Sequence, residues 1–185
     1  MDYISLILIA IGLSFDTFAV SVSTGLILKK IKFQQALKVA FVLAFLQSLM
    51  PLIGWFAGKQ ISQYIGKFDH WIAFVLLSIL GVKMIIESFK NDDNNKNFNP
   101  LKFNVLLGMG IATSIDALVV GISFAFLDTN IWIAILFIGV VTFLFAMLGM
   151  LFGKKIGSKF GKRIEVLGGF ILIAIGLKIL LGHVI

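Results

Sequence analysis

The sequence has no cysteine and few charged residues, and both features exclude whole classes of protein. Without cysteine among its 185 residues, the chain forms no disulfide bond, thiolate metal site or thiol-based catalytic centre. The net charge of +7 does not indicate a nucleic-acid partner, because the basic residues lie between long apolar segments. Those segments contain no nucleophile–base pair, histidine cluster or phosphate-binding loop, so we do not expect an enzyme.

Long apolar blocks make up most of the chain. Hydrophobic residues account for 59% of it, which is more than a soluble domain of this size buries in one core. A helix needs about 20 mostly apolar residues to cross a lipid bilayer. We therefore predict an all-α, multi-pass membrane protein with six transmembrane helices, at about 4–28, 36–58, 71–89, 103–127, 132–152 and 166–181. The first apolar segment lacks a basic n-region and is too long for a signal peptide, so we expect a retained helix.

The segment 91–102 is the most polar in the chain. We interpret it as a cytoplasmic linker between two halves, residues 1–90 and residues 103–185. Lysine and arginine concentrate after the first, third and fifth predicted helices, whereas the loops on the opposite side contain only Lys59 and Lys67. Because cytoplasmic loops carry the excess of basic residues, we predict that both termini face away from the cytoplasm.

The two halves resemble each other in sequence. A shift of 100 residues places Ser14, Asp16, Val20 and Ser23 on Ser114, Asp116, Val120 and Ser123, and a shift of 95 places Gly54 and Gly58 on Gly149 and Gly153. Because each half has an odd number of predicted helices, the second half enters the membrane from the opposite side. Two inverted three-helix repeats are the plan of many secondary transporters, whose binding sites lie near the midplane where the repeats meet.

Asp16 and Asp116 lie near the middle of the first predicted helix of each half. An aspartate at mid-bilayer costs about 3 kcal/mol, so such residues usually serve a function. Two facing carboxylates offer negative charge and hard oxygens, which suit a divalent cation such as Mn²⁺ or Mg²⁺. Without the cation they repel and one takes up a proton, which couples metal binding to proton release and is the physical basis of an antiporter. The alternative is that each aspartate only hydrogen-bonds a neighbouring helix.

Other polar residues are candidates for supporting the site. Gln47 lies one turn before Pro51, which we predict to kink the second helix; its carbonyl oxygen is a candidate metal ligand, and an interhelical hydrogen bond explains it equally well. Ser14 and Ser114 are expected to contact a neighbouring helix unless the backbone unwinds there. The further candidates are Ser23, Ser123, Thr142, Lys83 and Glu87. For the last two, a snorkelling ion pair is the simpler interpretation and gating is the alternative.

The residues around both aspartates resemble a known family. Residues 14–21, Ser-Phe-Asp-Thr-Phe-Ala-Val-Ser, are similar to the Ser-Met-Asp-Ala-Phe-Ala signature of the MntP-type manganese efflux pumps, and residues 114–121 are similar to its second copy. The resemblance implies a bacterial inner-membrane exporter of Mn²⁺ in the LysE-like transporter group, with Asp16 and Asp116 essential. It also implies that Mn²⁺ is the transported substrate and that no cofactor is needed. Thr17 replaces the usual alanine of the family, and Gln47 stands where some members carry glutamate.

The sequence therefore predicts a secondary transporter that exports Mn²⁺ by proton antiport through a midplane site formed by Asp16 and Asp116, with Gln47 as a further ligand. Its expected partners are the lipid bilayer, the divalent metal ion and protons. One alternative is an exporter of another cation or of a basic amino acid, as in the LysE group. Another is a structural membrane subunit that works with a partner protein. The oligomeric state stays open.

Overall fold

The computed structural model of the protein describes residues 3–28, 31–65, 71, 74–79, 82, 85–86, 100–127, 129–156, 166, 170, 173–175, 177–178 and 181. Of residues 26, 27, 61–65 and 153–156 it describes the backbone alone. The continuous runs form five helices, and the described residues contain no strand, which confirms the all-α prediction. The helices are α1, Tyr3–Ile27; α2, Phe33–Ile65; α3, Phe103–Thr113; α4, Ile115–Phe126; and α5, Ile131–Ile156.

Three of these helices, α1, α2 and α5, are long and apolar enough to cross a membrane. A fourth candidate span consists of α3 and α4 together, which are bent by 42° relative to each other. The predicted span over 103–127 thus corresponds to two helices, which meet at a break at Ser114. Pro51, by contrast, lies inside α2, which continues to Ile65. Of the predicted helices 71–89 and 166–181 the structure describes about half of the residues, at scattered positions, and most of the linker 91–102 lies outside the described residues.

The outer surface of the described helices is apolar. On α5, large apolar side chains are exposed at every fourth position, where they form one stripe along the helix: Trp132, Leu136, Val140, Leu144 and Leu148. Exposed apolar surface of this extent is a liability in water, whereas lipid acyl chains solvate it well. The surface thus agrees with the length of the helices in indicating a multi-pass membrane protein.

Helix α5 packs against α1 and α2, and α2 also packs against α4. Glycine residues bring two helix backbones close together at two of these crossings, α1–α5 and α2–α4. In the first, a Cβ added to Gly149 would lie 2.8 Å from the Cβ of Ser21. In the second, a Cβ added to Gly54 would collide with the backbone carbonyl oxygen of Leu118. Small residues at such points allow two helix backbones to approach closely, which favours helix association in membranes. Each crossing joins a helix before the polar segment 91–102 to a helix after it.

We expect Gly54→Ala to destabilise the protein and Gly108→Ala to leave its stability unchanged or raised. A methyl group at position 54 meets the Leu118 carbonyl, so the two helices must separate, whereas nothing lies within 4 Å of a Cβ at Gly108. Overpacking of this kind costs about 1–3 kcal/mol, and alanine is favoured over glycine in a helix by up to about 1 kcal/mol. Thermal unfolding of both purified variants in the same detergent measures the difference. Equal unfolding midpoints would contradict the packing at this crossing.

Candidate functional site

The break between α3 and α4 is created by hydroxyl groups that bond to the backbone. The Ser114 Oγ lies 2.6 Å from the carbonyl oxygen of Gly110, and the Thr113 Oγ1 donates to that of Met109 over 3.0 Å. Ser114 itself has φ −108° and ψ 4°, outside the helical range. Side chains of this kind offer the backbone alternatives to the helical hydrogen bonds. The carbonyl oxygens near the break therefore keep partners, which is the condition for irregular backbone at membrane depth.

Asp116 lies in the first turn of the short helix α4 that begins at this break. Its side chain is 2% exposed, and its Oδ1 accepts a hydrogen bond from the backbone amide of Ala117 over 2.8 Å. The first turn of a helix presents backbone amides without helical partners and the positive end of the helix dipole. The break thus places a carboxylate where the local field favours its negative charge.

Asp16 has a different local setting, in the interior of the continuous helix α1. Its side chain is half-buried, with the Oδ1 atom enclosed by the protein. Asp16 and Asp116 are the only acidic residues in the part of the chain that the structure describes. Their sequence neighbours Phe15 and Ala117 belong to one continuous apolar cluster. Both carboxylates therefore lie in low-dielectric surroundings, where charge interactions are strong.

Gln47 connects the two segments that carry the aspartates. It is fully buried on α2, and its Nε2 donates to the carbonyl oxygen of Leu13 on α1 over 3.1 Å. Its Oε1 lies 2.8 Å from the Oγ of Ser114, at the break. Leu13 precedes Asp16 by three residues and Ser114 precedes Asp116 by two, so one amide group fastens both segments. The interhelical hydrogen bond considered for Gln47 is therefore present.

Metal ligation by Gln47 stays a prediction, although its chemistry leaves room for it. The single hydroxyl proton of Ser114 is within reach of both the Gly110 oxygen and the Gln47 Oε1. An amide oxygen also has two lone pairs. The Oε1 of Gln47 thus retains acceptor capacity beyond its contact with Ser114.

A matching contact occurs between the other pair of helices. The Oγ of Ser14 on α1 lies 2.9 Å from the Oγ1 of Thr142 on α5. Ser14 also donates to the carbonyl oxygen of Ala10 over 2.6 Å, which leaves Thr142 as the donor to Ser14. The shifts of 100 and 95 residues that describe the sequence repeat relate Ser14 to Ser114 and Thr142 to Gln47. The expectation that both serines contact a neighbouring helix is confirmed.

The remaining candidates have varied surroundings. Ser123 is buried and donates to the carbonyl oxygen of Val119 over 3.2 Å, whereas Ser23 is exposed. Lys83 and Glu87 lie outside the described residues. The sequence reasoning missed Ser21, which is fully buried and follows Ser14 by seven residues, two turns along the same helix face. That spacing was the signal that could have found it.

The donor set available near the aspartates is made of oxygen atoms. No group of three or more histidine, cysteine, aspartate or glutamate residues occurs within the described ranges, so a cation held there needs hydroxyl, amide or carbonyl oxygens besides the carboxylates. Polar groups enclosed by helices whose outer surface faces lipid are typical of membrane proteins that move ions or small molecules. The fold and the site thus define a multi-pass membrane transport protein.

Comparison with known sequences places the chain in a family of this class. A family model described as "Putative manganese efflux pump" matches residues 30–180. A relative named "Putative manganese efflux pump MntP" from Crocosphaera subtropica is 44% identical, and the match covers 100% of this chain and 98% of the relative. A relative of the same name from Rippkaea orientalis is 46% identical, over 97% of this chain and 96% of the relative. Another, from Clostridium perfringens, is 45% identical over 99% and 96%. The chain belongs to the manganese efflux pump family, and no solved structure matches it.

Proposed function

We propose that this protein exports Mn²⁺ from the cytoplasm across the bacterial inner membrane in exchange for protons, through a site shared by Asp16 and Asp116. The names of its relatives support manganese as the substrate and efflux as the direction. Transport is the activity of the family as a whole, and it requires no covalent chemistry. The protein is accordingly a carrier whose work is binding, release and a change of exposure.

The observation that carries the proposal is the link made by Gln47. Its amide group contacts the Leu13 carbonyl on one side and the Ser114 hydroxyl on the other. The segments that carry Asp16 and Asp116 are therefore held next to the same side chain. Two carboxylates brought to one place inside a membrane repel each other strongly unless a cation or a proton lies between them.

Manganese suits such a site because Mn²⁺ accepts hard oxygen ligands. The two carboxylates supply the charge, and the Oε1 of Gln47 supplies a neutral oxygen as a third ligand. Ser23 and Ser123 are the further hydroxyl candidates, whereas the Thr142 hydroxyl is engaged in the contact with Ser14. A site made only of oxygen atoms also accepts Mg²⁺, so discrimination against Mg²⁺ rests on the size and geometry of the site.

Proton exchange follows from the same two groups. When Mn²⁺ leaves, the negative charges lose their partner inside a low-dielectric region, and the uptake of a proton restores neutrality. The return of the protein with a proton bound then couples proton entry to manganese exit. The two cargoes compete for one site, which is what antiport requires.

We further propose six transmembrane helices in two inverted repeats, residues 1–90 and 103–185, joined by the cytoplasmic linker 91–102 with both termini outside the cytoplasm. The matched contacts Ser14–Thr142 and Ser114–Gln47 support this plan, because the repeat shifts convert one contact into the other. The two crossings support it as well, since each pairs a helix of one half with a helix of the other. A site between inverted repeats can open alternately to either side when the halves rock.

Flux measurements with purified protein test the proposal. In proteoliposomes that are acidic inside, we expect external Mn²⁺ to accumulate in the lumen while protons leave, as reported by a metal-sensitive and a pH-sensitive dye. Collapse of the pH gradient with a protonophore should remove the accumulation, and protein-free liposomes serve as the control. Proton exit driven by lysine or arginine but not by Mn²⁺ would favour a basic amino acid exporter. Manganese flux without any proton movement would contradict the antiport.

A further inference from the structure

One face of α1 carries a row of buried hydroxyl groups. Ser14, Thr17, Ser21 and Thr24 are spaced three, four and three residues apart, which places them on one side of the helix. Their exposed fractions are 0%, 0%, 0% and 1%. The row extends for about 15 Å along the helix, at 1.5 Å per residue. Along the helix axis it begins at the level of Asp16, whose side chain lies on a different face of α1, and it ends in the last turn of α1, next to the basic segment 29–32 that we assign to the cytoplasmic side.

The centre of this row is closed by α5. Ser14 contacts Thr142, and the Cβ of Ser21 lies 2.8 Å from the position that a Cβ on Gly149 would take. One turn further, a Cβ on Gly25 would lie 2.8 Å from the carbonyl oxygen of Met150. The two backbones thus approach closely around Ser21 and Gly25, and no water molecule fits between them at these points.

Two hydroxyl groups of the row are buried without a hydrogen-bond partner among the described residues, and one of them, Ser21, lies against α5. The Oγ1 of Thr17 and the Oγ of Ser21 are buried and make no hydrogen bond within the part of the chain that the structure describes. A buried hydroxyl without a partner is unfavourable, and the free energy is recovered when water reaches it. The closed interface is therefore less stable than an equally tight apolar one, and hydration favours its opening.

The other crossing, between α2 and α4, is apolar where the first is polar. The shift of 100 residues relates Thr17, Ser21 and Thr24 to Ala117, Gly121 and Phe124. These three residues are buried and have no polar side-chain atom that could bind water. A Cβ on Gly121 would collide with the carbonyl oxygen of Pro51, so this crossing is at least as tight. Only one of the two crossings thus contains groups that gain from being hydrated.

We propose that the α1–α5 interface is the part of the protein that opens toward the cytoplasm, and that the hydroxyl row of α1 then lines the path of a hydrated divalent cation to Asp16. The α2–α4 crossing stays closed. Hydroxyl oxygens suit this path because they replace single water molecules around a hard cation without binding it tightly. The inference depends on the proposed function only for the identity of the cargo.

The absence of native cysteine allows a direct test by thiol labelling. Ser21→Cys and Thr24→Cys place single thiols in the row, and Ala125→Cys places one in the α2–α4 crossing, where the Ala125 Cβ faces Gly58. In detergent micelles, where a charged methanethiosulfonate reaches both ends of the helices, we expect it to modify the first two at least about tenfold faster than the third, since only a hydrated thiol ionises and reacts. Equal rates at all three positions, or faster reaction at Ala125→Cys, would overturn the inference.

A second measurement does not depend on labelling. Ser21→Ala removes a hydroxyl that has no partner in the closed interface, so we expect a higher thermal unfolding midpoint together with slower Mn²⁺ flux. A purely structural role predicts a change in stability without slower flux, and that result would contradict the inference. If labelling behaves as expected but proteoliposomes show no Mn²⁺ flux, the proposed cargo is wrong and the moving interface is retained.

Discussion

Replacement of either Asp16 or Asp116 by asparagine is expected to abolish manganese tolerance while the protein remains in the membrane. Asparagine keeps the shape of the side chain and removes its charge, so a divalent cation would meet one carboxylate instead of two. In a low-dielectric site the loss of one charge partner weakens cation binding by far more than it does in water. It also removes one of the two groups that exchange protons. Growth of manganese-sensitive cells on added Mn²⁺, together with their manganese content, measures the effect.

Ser48→Ala provides the control for this experiment. Ser48 on α2 donates to the carbonyl oxygen of Ile135 on α5 over 3.3 Å, so its loss removes an interhelical hydrogen bond and no charge. Interhelical hydrogen bonds in membranes contribute about 0.6 kcal/mol on average. We expect the tolerance of this variant to equal that of the native protein. Native tolerance in both aspartate variants would contradict the assignment of the site, provided that immunoblots show equal amounts of protein in the membrane.

The two aspartate variants should differ in stability even though both lose transport. Asp116 lies at the positive end of α4 and accepts the Ala117 amide, so its negative charge contributes favourably there, by about 0.3–1 kcal/mol for a helix N-terminus. Asp16 lies in the interior of a continuous helix, away from a helix N-terminus. The difference between the two sites follows from the break at Ser114, and the sequence alone did not predict it.

The break at Ser114 is a feature of the fold that the sequence analysis did not predict. The Ser-Phe-Asp and Ser-Ile-Asp motifs are alike, yet Ser14 lies inside a continuous helix and Ser114 lies between two helices. The difference is in the preceding residue, which is Leu13 in one case and Thr113 in the other. Two consecutive hydroxyl groups compete for the carbonyl oxygens one turn back, where a single serine does not displace the helix. Counting apolar residues predicts that a helix forms and carries no information about such a local competition.

The confirmed predictions are those based on the length of the apolar segments and on helical spacing. Long apolar segments gave the helices, and helical spacing indicated that Ser14 and Ser114 contact neighbouring helices. The identity of the contacting residue did not follow, because it depends on which helices cross and at what distance. The repeat shifts related Gln47 to Thr142, but only the folded chain reveals that each of them contacts the serine of the opposite half.

Gln47→Leu is expected to slow Mn²⁺ transport by about a hundredfold with both aspartates unchanged, the loss that a misplacement of about 1 Å can cause. Leucine has a similar volume but neither contacts the Ser114 hydroxyl nor donates to the Leu13 carbonyl. Ser114 retains the Gly110 carbonyl, so the protein should stay folded. The variant loses the two hydrogen bonds that hold the break at Ser114 next to α1, so Asp116 is no longer fixed in position relative to Asp16. Initial rates in proteoliposomes measure the effect.

Thr142→Val is the matched control, because it removes the equivalent contact in the other half. Ser14 lies within a continuous helix, and the backbone of α1 fixes Asp16 without help from Thr142. We therefore expect transport close to that of the native protein. A loss as large as that of Gln47→Leu would mean that both contacts position the site equally and that the break has no special role.

Gln47→Glu separates positioning from ligation. Glutamate retains the acceptor for the Ser114 hydroxyl, loses the donor to Leu13 and adds a third carboxylate. If the Oε1 of Gln47 binds the ion, the added charge should lower the apparent KM for Mn²⁺ and make the KM more sensitive to pH, because one more proton competes with the metal. An unchanged KM in this variant, with a reduced maximal rate, would assign Gln47 to positioning alone. The substrate would then be held by two carboxylates and by oxygens other than the amide.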